Sequence, residues 1–225
     1  MFLAPDVERK RGLEYHASGD LERAIASYTR ALDARPTDAL SAYARAIAHH
    51  ARGDLQQALD DFDRALRLRP DWALAYHDRG TVHDQRDDFG RAIADYDRAL
   101  ALQPEFAVAY NDRGTAYHRH GDLDRALQDF DRAIALEPEY ALAYRNRGMV
   151  RDHRREFPSA VADFCRSLEI LPDQPEVYFR RGHTFARAGK FAAARADLEL
   201  AAASAHSEQI RAQAAATLAL IDGRP

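Results

Sequence analysis

Cysteine is nearly missing from this chain, and so are the sequence patterns that mark common catalytic centres. The 225 residues include one cysteine, Cys165, which excludes an internal disulfide and a metal site built from several cysteines. No glycine-rich phosphate loop, His-Glu-x-x-His segment or Gly-x-Ser-x-Gly segment occurs. We therefore predict that the protein is not an enzyme and that it has no catalytic residues, no cofactor and no bound metal.

Long apolar runs and an excess of one charge are also lacking. No segment approaches the roughly 20 apolar residues of a membrane span, and the N-terminal segment lacks the apolar core of a signal peptide. The net charge is −4 with 30% charged residues of interspersed sign, whereas a nucleic-acid-binding domain shows a basic excess. These features predict a cytoplasmic protein that neither inserts into a membrane nor binds nucleic acid.

The sequence instead contains a repeat of constant length. Prolines recur every 34 residues without insertion or deletion, at Pro36, Pro70, Pro104, Pro138 and Pro172. In the central copy, helical patterns cover about residues 72–85 and 89–102, with a polar turn between them. Asp88 is placed to cap the second helix, and Pro104 cannot continue it. The constant spacing predicts that each helix pair packs on the next in the same way.

A glycine within the first helix of the pair recurs with the same period. Gly80 returns as Gly12, Gly114, Gly148 and Gly182, although glycine costs roughly 1 kcal/mol relative to alanine inside a helix. The facing position in the second helix is Ala92, which also recurs. Two small residues at facing positions predict a close crossing of the two helix backbones.

These residues give the chain a resemblance to the tetratricopeptide repeat (TPR) family, whose 34-residue pattern combines aromatic residues, a Leu-Gly pair, alanines and a final proline. The matching positions of the central copy are Tyr76, Arg79-Gly80, His83, Ala92, Tyr96, Ala99 and Pro104. The resemblance implies an all-α fold, a right-handed superhelical solenoid of antiparallel helix pairs. The predicted units are residues 5–38, 39–72, 73–106, 107–140, 141–174 and 175–206, followed by a C-terminal capping helix at 207–221.

Arginine stands where the family pattern has leucine in all six units. An aspartate follows 16 residues later in units two to six, on the helix that packs antiparallel to that of the arginine. We predict the pairs Arg45–Asp61, Arg79–Asp95, Arg113–Asp129, Arg147–Asp163 and Arg181–Asp197; the alternative is a solvated pattern of surface charge. The chain also departs from the pattern at its second aromatic position, which holds His49, His83 and Arg151.

The resemblance further implies a function. In this family the first helices of the units line an inner groove that binds a segment of a partner protein. The chain is therefore predicted to be a non-enzymatic scaffold for a protein or peptide, with Tyr43 and Phe179 as apolar anchors. The groove positions carried over to this sequence are Arg9, Tyr43, Ile47, His50, His77, Thr81, Asp84, Asn111, Thr115, His118, Arg145, Met149, Asp152, Phe179 and His183.

Other interpretations of the sequence stay open. A self-assembling structural protein would show an exposed apolar patch at its capping helix. A clamp for a C-terminal carboxylate, found in one TPR subgroup, is disfavoured: Asn146 and Arg180 match it, but Glu176 has the wrong charge. The groove histidines are too widely spaced to share a zinc ion, and they are either plain exposed residues or a pH-dependent partner contact.

Overall fold

A computed structural model describes residues 4–204 and 207–222 of the protein. Residues 205 and 206, the predicted end of the sixth unit, lie outside this description. The described residues form thirteen helices and no strand, which confirms the all-α prediction. The helices are α1 (Pro5–Ala17), α2 (Leu21–Ala34), α3 (Ala39–Arg52), α4 (Leu55–Leu68), α5 (Ala73–Gln85), α6 (Phe89–Leu102), α7 (Ala107–His120), α8 (Leu123–Leu136), α9 (Ala141–His153), α10 (Phe157–Ile170), α11 (Pro175–Arg187), α12 (Phe191–Ser204) and α13 (Glu208–Asp222).

The helix starts follow the 34-residue period of the sequence. The odd-numbered helices α1 to α11, here called the first helices, begin at residues 5, 39, 73, 107, 141 and 175. The even-numbered helices α2 to α12, here called the second helices, begin at residues 21, 55, 89, 123, 157 and 191. Both series advance by a constant step, which confirms the predicted helix-turn-helix repeat.

The chain divides into two compact units, which we call the N-terminal unit (residues 1–116) and the C-terminal unit (residues 117–225). In the N-terminal unit, α1 packs with α2, α3 with α4 and α5 with α6, and α2–α3 and α4–α5 contacts join the pairs. In the C-terminal unit, α9 packs with α10 and α11 with α12, while α8–α9 and α10–α11 contacts join neighbouring helices. Helix α13 packs on α12 and α11 and buries Ala214 and Ile221 against Leu198.

An aspartate fixes the start of several second helices. The carboxylates of Asp20, Asp88 and Asp122 accept hydrogen bonds from the backbone N–H three residues later, at N···O distances of 3.1, 3.3 and 3.1 Å. These bonds satisfy donors that a helix leaves unpaired in its first turn. The predicted cap at Asp88 is therefore confirmed.

Each second helix buries one large side chain at the same position of the repeat. The six residues are at most 2% exposed and are Tyr28, Phe62, Tyr96, Phe130, Phe164 and Leu198. A Cβ atom added to Gly80 would lie 2.9 Å from Cε1 of Tyr96 and 3.2 Å from the carbonyl oxygen of Ala92. The helices thus cross closely, as predicted, but the nearest neighbour of the glycine is the aromatic ring, which the sequence analysis did not identify.

We expect Gly148→Ala to destabilise the protein, although alanine is the better helix former. The added Cβ would lie 2.9 Å from Cε1 of the buried Phe164 ring, and such overpacking costs about 1–3 kcal/mol. Gly90→Ala is the matched control, because nothing lies within 4 Å of a Cβ added to this exposed residue of α6. The control should leave stability unchanged or raise it by up to about 1 kcal/mol. Urea unfolding followed by circular dichroism measures both variants, and an increase in stability for Gly148→Ala would contradict the close crossing.

Candidate functional site

The predicted Arg–Asp pairs form within both units. Arginine Nε and Nη2 donate to the carboxylate of the aspartate 16 residues later at N···O distances between 2.5 and 3.2 Å. The confirmed pairs are Arg45–Asp61, Arg79–Asp95, Arg147–Asp163 and Arg181–Asp197, whereas Arg113–Asp129 stays a prediction. The four confirmed aspartates are 3–6% exposed, which rules out a solvated surface pattern.

The same arginines reach a second partner that the sequence analysis missed. Each Nη1 donates to the residue 16 positions earlier, on the preceding second helix. The pairs are Arg79–Asp63, Arg113–Asp97 and Arg147–Asp131 at 2.6 Å, Arg45–Thr29 at 3.0 Å and Arg181–Cys165 at 3.2 Å. One guanidinium therefore joins two successive second helices. The guanidinium groups of Arg79, Arg113, Arg147 and Arg181 also lie over the ring of the tyrosine three residues earlier, at 5.4–5.6 Å from its centroid.

The departures from the family pattern face the same buried carboxylates. Arg151 Nη1 donates to Asp163 at 2.8 Å, and His83 Nε2 lies 3.9 Å from the carboxylate of Asp95. His49 has the same position relative to Asp61, also at 3.9 Å. A nitrogen donor at this position gives the buried aspartate a further polar neighbour, which an aromatic hydrocarbon ring does not. These residues and the arginine pairs hold the helices together.

Three predicted groove residues of the N-terminal unit belong to one internal hydrogen-bond network. Tyr43 Oη donates to Asp78 at 2.5 Å, and Asn111 Nδ2 donates to Asp112 at 3.0 Å. Between them, the His77 ring lies 2.8 Å from Asp112 through Nε2 and 3.0 Å from Asp78 through Nδ1. His77 is 9% and Asn111 1% exposed. The network therefore connects α3, α5 and α7 and offers little surface to a partner.

The two carboxylates decide the charge of His77. Burial lowers the pKa of its imidazole, but the hydrogen bonds and charges of Asp112 and Asp78 raise it by more, so that the pKa is raised to about 9. The side chain is thus a buried imidazolium at neutral pH. Its role is to neutralise two carboxylates between successive first helices.

Most other predicted groove residues are also engaged within the protein. Arg9 donates to Asp38 at 2.6 Å, the His50 ring lies 2.9 Å from Gln85, and Arg145 donates to Glu176 at 3.4 Å. Thr81 and Thr115 donate to the backbone carbonyl four residues earlier, at 3.2 and 3.0 Å. Ile47 packs on the core around Phe62, and Asp84 is half-buried.

The remaining five predicted groove residues line one cavity of the C-terminal unit, which we call the C-terminal cavity. Its volume is about 290 Å³, and these five residues are His118, Met149, Asp152, Phe179 and His183. They come from the end of α7, from α9 and from α11. The ring of the buried Phe164 adds apolar surface, and His153, Arg180, Thr184 and Arg187 complete the lining. Three successive first helices thus converge on one small space.

The polar groups of the cavity are incompletely paired. Arg187 donates to the carboxylate of Asp152 and, at 3.2 Å, to its backbone carbonyl. Arg180 donates through Nη2 to Glu176 at 3.2 Å. Asp152 Oδ1 and Arg180 Nε are nevertheless buried and have no hydrogen-bond partner among the residues that the structure describes. Arg180 was considered above only for a carboxylate clamp; its step of 35 residues from Arg145 is the signal that it faces the groove.

Positive charge surrounds the histidines of this cavity. Burial lowers the pKa of His118, and the charges of His153 and Arg180 lower it further. Burial also lowers the pKa of His183, where Asp152 acts in the opposite direction and Arg187 and Arg180 add to the decrease. Both imidazoles are therefore neutral at pH 7. The His118 and His153 rings are 5.9 Å apart between centroids, and those of Phe179 and His183 are 6.1 Å apart.

The described part of the chain contains neither a metal-binding cluster nor a membrane-spanning helix. No group of three or more His, Cys, Asp or Glu side chains there is arranged to hold a metal ion. Within residues 4–204 and 207–222, no helix combines the length and the apolar composition needed to cross a membrane.

Helix pairs that stack with a 34-residue period, joined by buried side chains at fixed positions, define a helical repeat protein. Two family models described as tetratricopeptide repeat match residues 9–71 and 80–151. The chain belongs to the tetratricopeptide repeat family. No curated protein matches it in sequence.

Several solved structures share the fold. PilW, described as a widely conserved type IV pilus biogenesis factor, is 20% identical with a TM-score of 0.84, over 92% of this chain and 97% of PilW. MamA from Desulfovibrio magneticus RS-1 is 24% identical with a TM-score of 0.71, over 76% of this chain and 96% of MamA. YrrB, described as a TPR protein with an unusual peptide-binding site, is 22% identical with a TM-score of 0.66, over 84% of this chain and 97% of YrrB.

Proposed function

We propose that this protein is a non-enzymatic scaffold that binds a peptide or helical segment of a partner protein at the C-terminal cavity and on the first-helix surface around it. The observation that carries the proposal is the cavity itself, where five predicted groove residues from three first helices meet. Membership of the TPR family supports protein binding as the class of function. YrrB, which has a similar fold, is described as having a peptide-binding site. The proposal includes six TPR units with the predicted boundaries, α13 as their cap, no cofactor and a cytoplasmic location.

The two units differ in what their first helices offer to a ligand. In the N-terminal unit, the polar groups of Tyr43, His77 and Asn111 already bond to Asp78 and Asp112. A partner would have to replace these buried bonds, and an unpaired buried charge costs several kcal/mol. In the C-terminal cavity, polar atoms are buried without partners beside half-buried apolar side chains, so a ligand gains hydrogen bonds and apolar contact together.

We expect Phe179→Ala to weaken binding of peptides that the wild-type chain selects from a random phage-display library. Phe179 is the largest half-buried apolar side chain of the cavity lining, and interface anchors of this kind typically contribute about 2 kcal/mol or more. The affinity of one selected, synthesised peptide should fall at least about tenfold, which corresponds to 1.4 kcal/mol. Fluorescence anisotropy measures it on the full chain.

Leu13→Ala is the matched control for this prediction. Leu13 is 52% exposed and lies in the first helix α1, outside the C-terminal unit. Its removal should leave the affinity unchanged. Circular dichroism has to show that both variants are folded, because Phe179 also packs against the core of the C-terminal unit. Unchanged affinity for a folded Phe179→Ala chain, or an equal loss for Leu13→Ala, would move the site away from the cavity.

A second candidate function is self-association through the C-terminal helix. Leu220 of α13 is 70% exposed and Leu200 of α12 is 49% exposed, and this alternative requires exposed apolar side chains of this kind. Leu220 also lines, together with Phe191, a small cavity of about 130 Å³. Analytical ultracentrifugation over a wide range of concentrations decides between the candidates, because a chain that stays monomeric throughout does not assemble by this route.

A further inference from the structure

We infer that the C-terminal cavity accepts the carboxylate of an acidic side chain of the bound segment, together with a backbone N–H of the same segment. This inference rests on the proposed function and gives the chemistry of the ligand. It is carried by the charges and by the two unpaired atoms of the cavity.

The charges around the cavity leave an excess of cations. The charged side chains of its lining include Arg180, Arg187 and Asp152, whereas Glu176 pairs with Arg180 from outside the lining and is shared with Arg145. Two arginines of the lining thus face one carboxylate, so an anion is favoured and a cation is disfavoured. The volume of about 290 Å³ lies at the lower limit of small-molecule pockets, which start at about 300 Å³, and it suits one side chain better than a whole cofactor.

The unpaired atoms specify the ligand further. Arg180 Nε is an unpaired donor and Asp152 Oδ1 is an unpaired acceptor, and both belong to side chains that line the cavity. A free anion would satisfy the donor and leave the acceptor unpaired, which costs about 1–3 kcal/mol for a buried polar group. An acidic residue within a peptide supplies both groups, since its carboxylate accepts from Arg180 and a backbone N–H donates to Asp152. Met149 and Phe179 provide apolar contact for a neighbouring side chain.

Binding of a carboxylate here should be linked to protons. The charged and titratable groups that face the cavity are His118 from α7, Asp152 and His153 from α9, and Arg180, His183 and Arg187 from α11. Burial and the nearby arginines lower the pKa of His118 and His183 in the free protein, and an incoming negative charge opposes that decrease. The complex therefore binds more protons than its free components near neutral pH. Affinity should rise as the pH falls from about 7.5 to about 5.5, where a glutamate side chain is still ionised.

The experiment uses four sets of acetylated and amidated nonapeptides with apolar and small residues around a fixed central residue, which is Glu, Gln, Lys or Leu. Binding to the full chain is measured by fluorescence anisotropy. We expect the Glu set to bind at least about tenfold more tightly than the Gln set at pH 6.5, with the Lys set weakest. The preference for Glu should increase on acidification, and the affinity of the Gln set should stay constant.

Variants connect the preference to the cavity. Arg180→Gln should remove the preference for Glu over Gln. Arg154→Gln is the matched control, because Arg154 of the same unit is exposed, pairs with Asp124 at 2.6 Å and lies outside the lining. The control should keep the full preference. A preference that survives in Arg180→Gln would overturn the assignment.

The source of the carboxylate is tested by a fifth set, in which the central residue is Leu and the C-terminus is a free acid. Tighter binding of this set than of the Glu set would assign the cavity to a chain terminus and overturn the assignment to a side chain. Peptides that bind in a Phe179-dependent manner without preference for Glu would refute this inference and leave the proposed function standing. Absence of binding by every set at millimolar concentration would contradict both.

Discussion

Replacing Asp163 by alanine is expected to lower the free energy of unfolding by about 3 kcal/mol, the largest loss that we expect from any single substitution of a charged residue in this chain. Asp163 is 3% exposed and accepts hydrogen bonds from Arg147 through Nε and Nη2 and from Arg151 through Nη1. Its removal leaves two guanidinium groups without their buried counter-charge. Removing one partner from a buried ion pair typically costs about 3–5 kcal/mol.

We expect the lower end of that range because the arginines keep other interactions. Arg147 retains Asp131, which accepts from Nη1 at 2.6 Å, and the Arg151 side chain is 25% exposed. The matched control is Asp124→Ala, since this aspartate is 81% exposed and its pair with Arg154 at 2.6 Å is solvated. Exposed pairs contribute about 0–1 kcal/mol, and the control should fall in that range.

Urea denaturation of the two aspartate variants, followed by the same spectroscopic probe, measures the difference. Equal midpoints for Asp163→Ala and Asp124→Ala would show that the buried carboxylate adds nothing to stability. A double-mutant cycle that combines Asp163→Ala with Arg147→Ala isolates the interaction energy of this pair. A coupling energy near zero would likewise show that the pair adds nothing to stability. The expected coupling is positive because both of the residues lose the same bidentate contact.

The contacts within one repeat could be predicted from the sequence because the repeat displays them several times. Arg79 and Asp95 stand 16 residues apart, and the same two residue types return at the same distance in other copies. An antiparallel helix pair brings such positions together, so both the two partners and their contact could be predicted. The second contact of Arg79, with Asp63, repeats as regularly but crosses to the preceding pair. It was missed because a partner for the arginine was predicted only within its own helix pair, whereas Asp63 lies in α4 of the preceding pair.

The candidate site was predicted less completely for a geometric reason. Contacts between successive first helices join residues 35 positions apart, as in His77 and Asp112, so they advance one residue per repeat relative to the 34-residue period. The family resemblance supplied the groove positions. It does not tell which of these residues bond to the residue 35 positions away on the neighbouring first helix. His77 and Asn111 therefore appeared as ligand-binding residues although the structure buries them. The unpaired atoms of Asp152 and Arg180 depend on side-chain rotamers, which no sequence pattern specifies.

Stability of the N-terminal unit is expected to decrease as the pH rises from about 6.5 to about 9, because His77 loses its proton in that interval. The pKa of His77 is raised to about 9 in the folded chain by Asp112 and Asp78, against the lowering effect of burial. An unfolded chain has an imidazole pKa of about 6.5. Below that value both states are protonated, and the full stabilisation by the two carboxylates is present. Between the two values only the folded state keeps the proton, and above about 9 the stabilisation is lost.

The size of this effect follows from the two pKa values. Each pKa unit corresponds to 1.36 kcal/mol, so the difference of about two to three units gives about 3 kcal/mol between pH 6 and pH 10. Urea midpoints of wild type and His77→Gln, measured across this interval, isolate the contribution, since all other titrating groups are common to both chains. His120→Gln is the matched control, because His120 is an exposed histidine of α7 and lies outside the network. The His120→Gln chain should keep the decrease in stability between about pH 6.5 and about pH 9.

A direct titration connects the stability change to the proposed cause. The imidazole resonances of His77, followed by nuclear magnetic resonance, should shift with a midpoint near pH 9 in the wild type. Asp112→Asn removes one of the two carboxylates, so this midpoint should decrease and the pH dependence of stability should shrink with it. A wild-type midpoint near 6.5, or equal pH profiles for wild type and His77→Gln, would contradict the network. A midpoint near 9 would show that the first helices of the N-terminal unit are joined by a charged histidine, so that the groove position of His77 serves the fold.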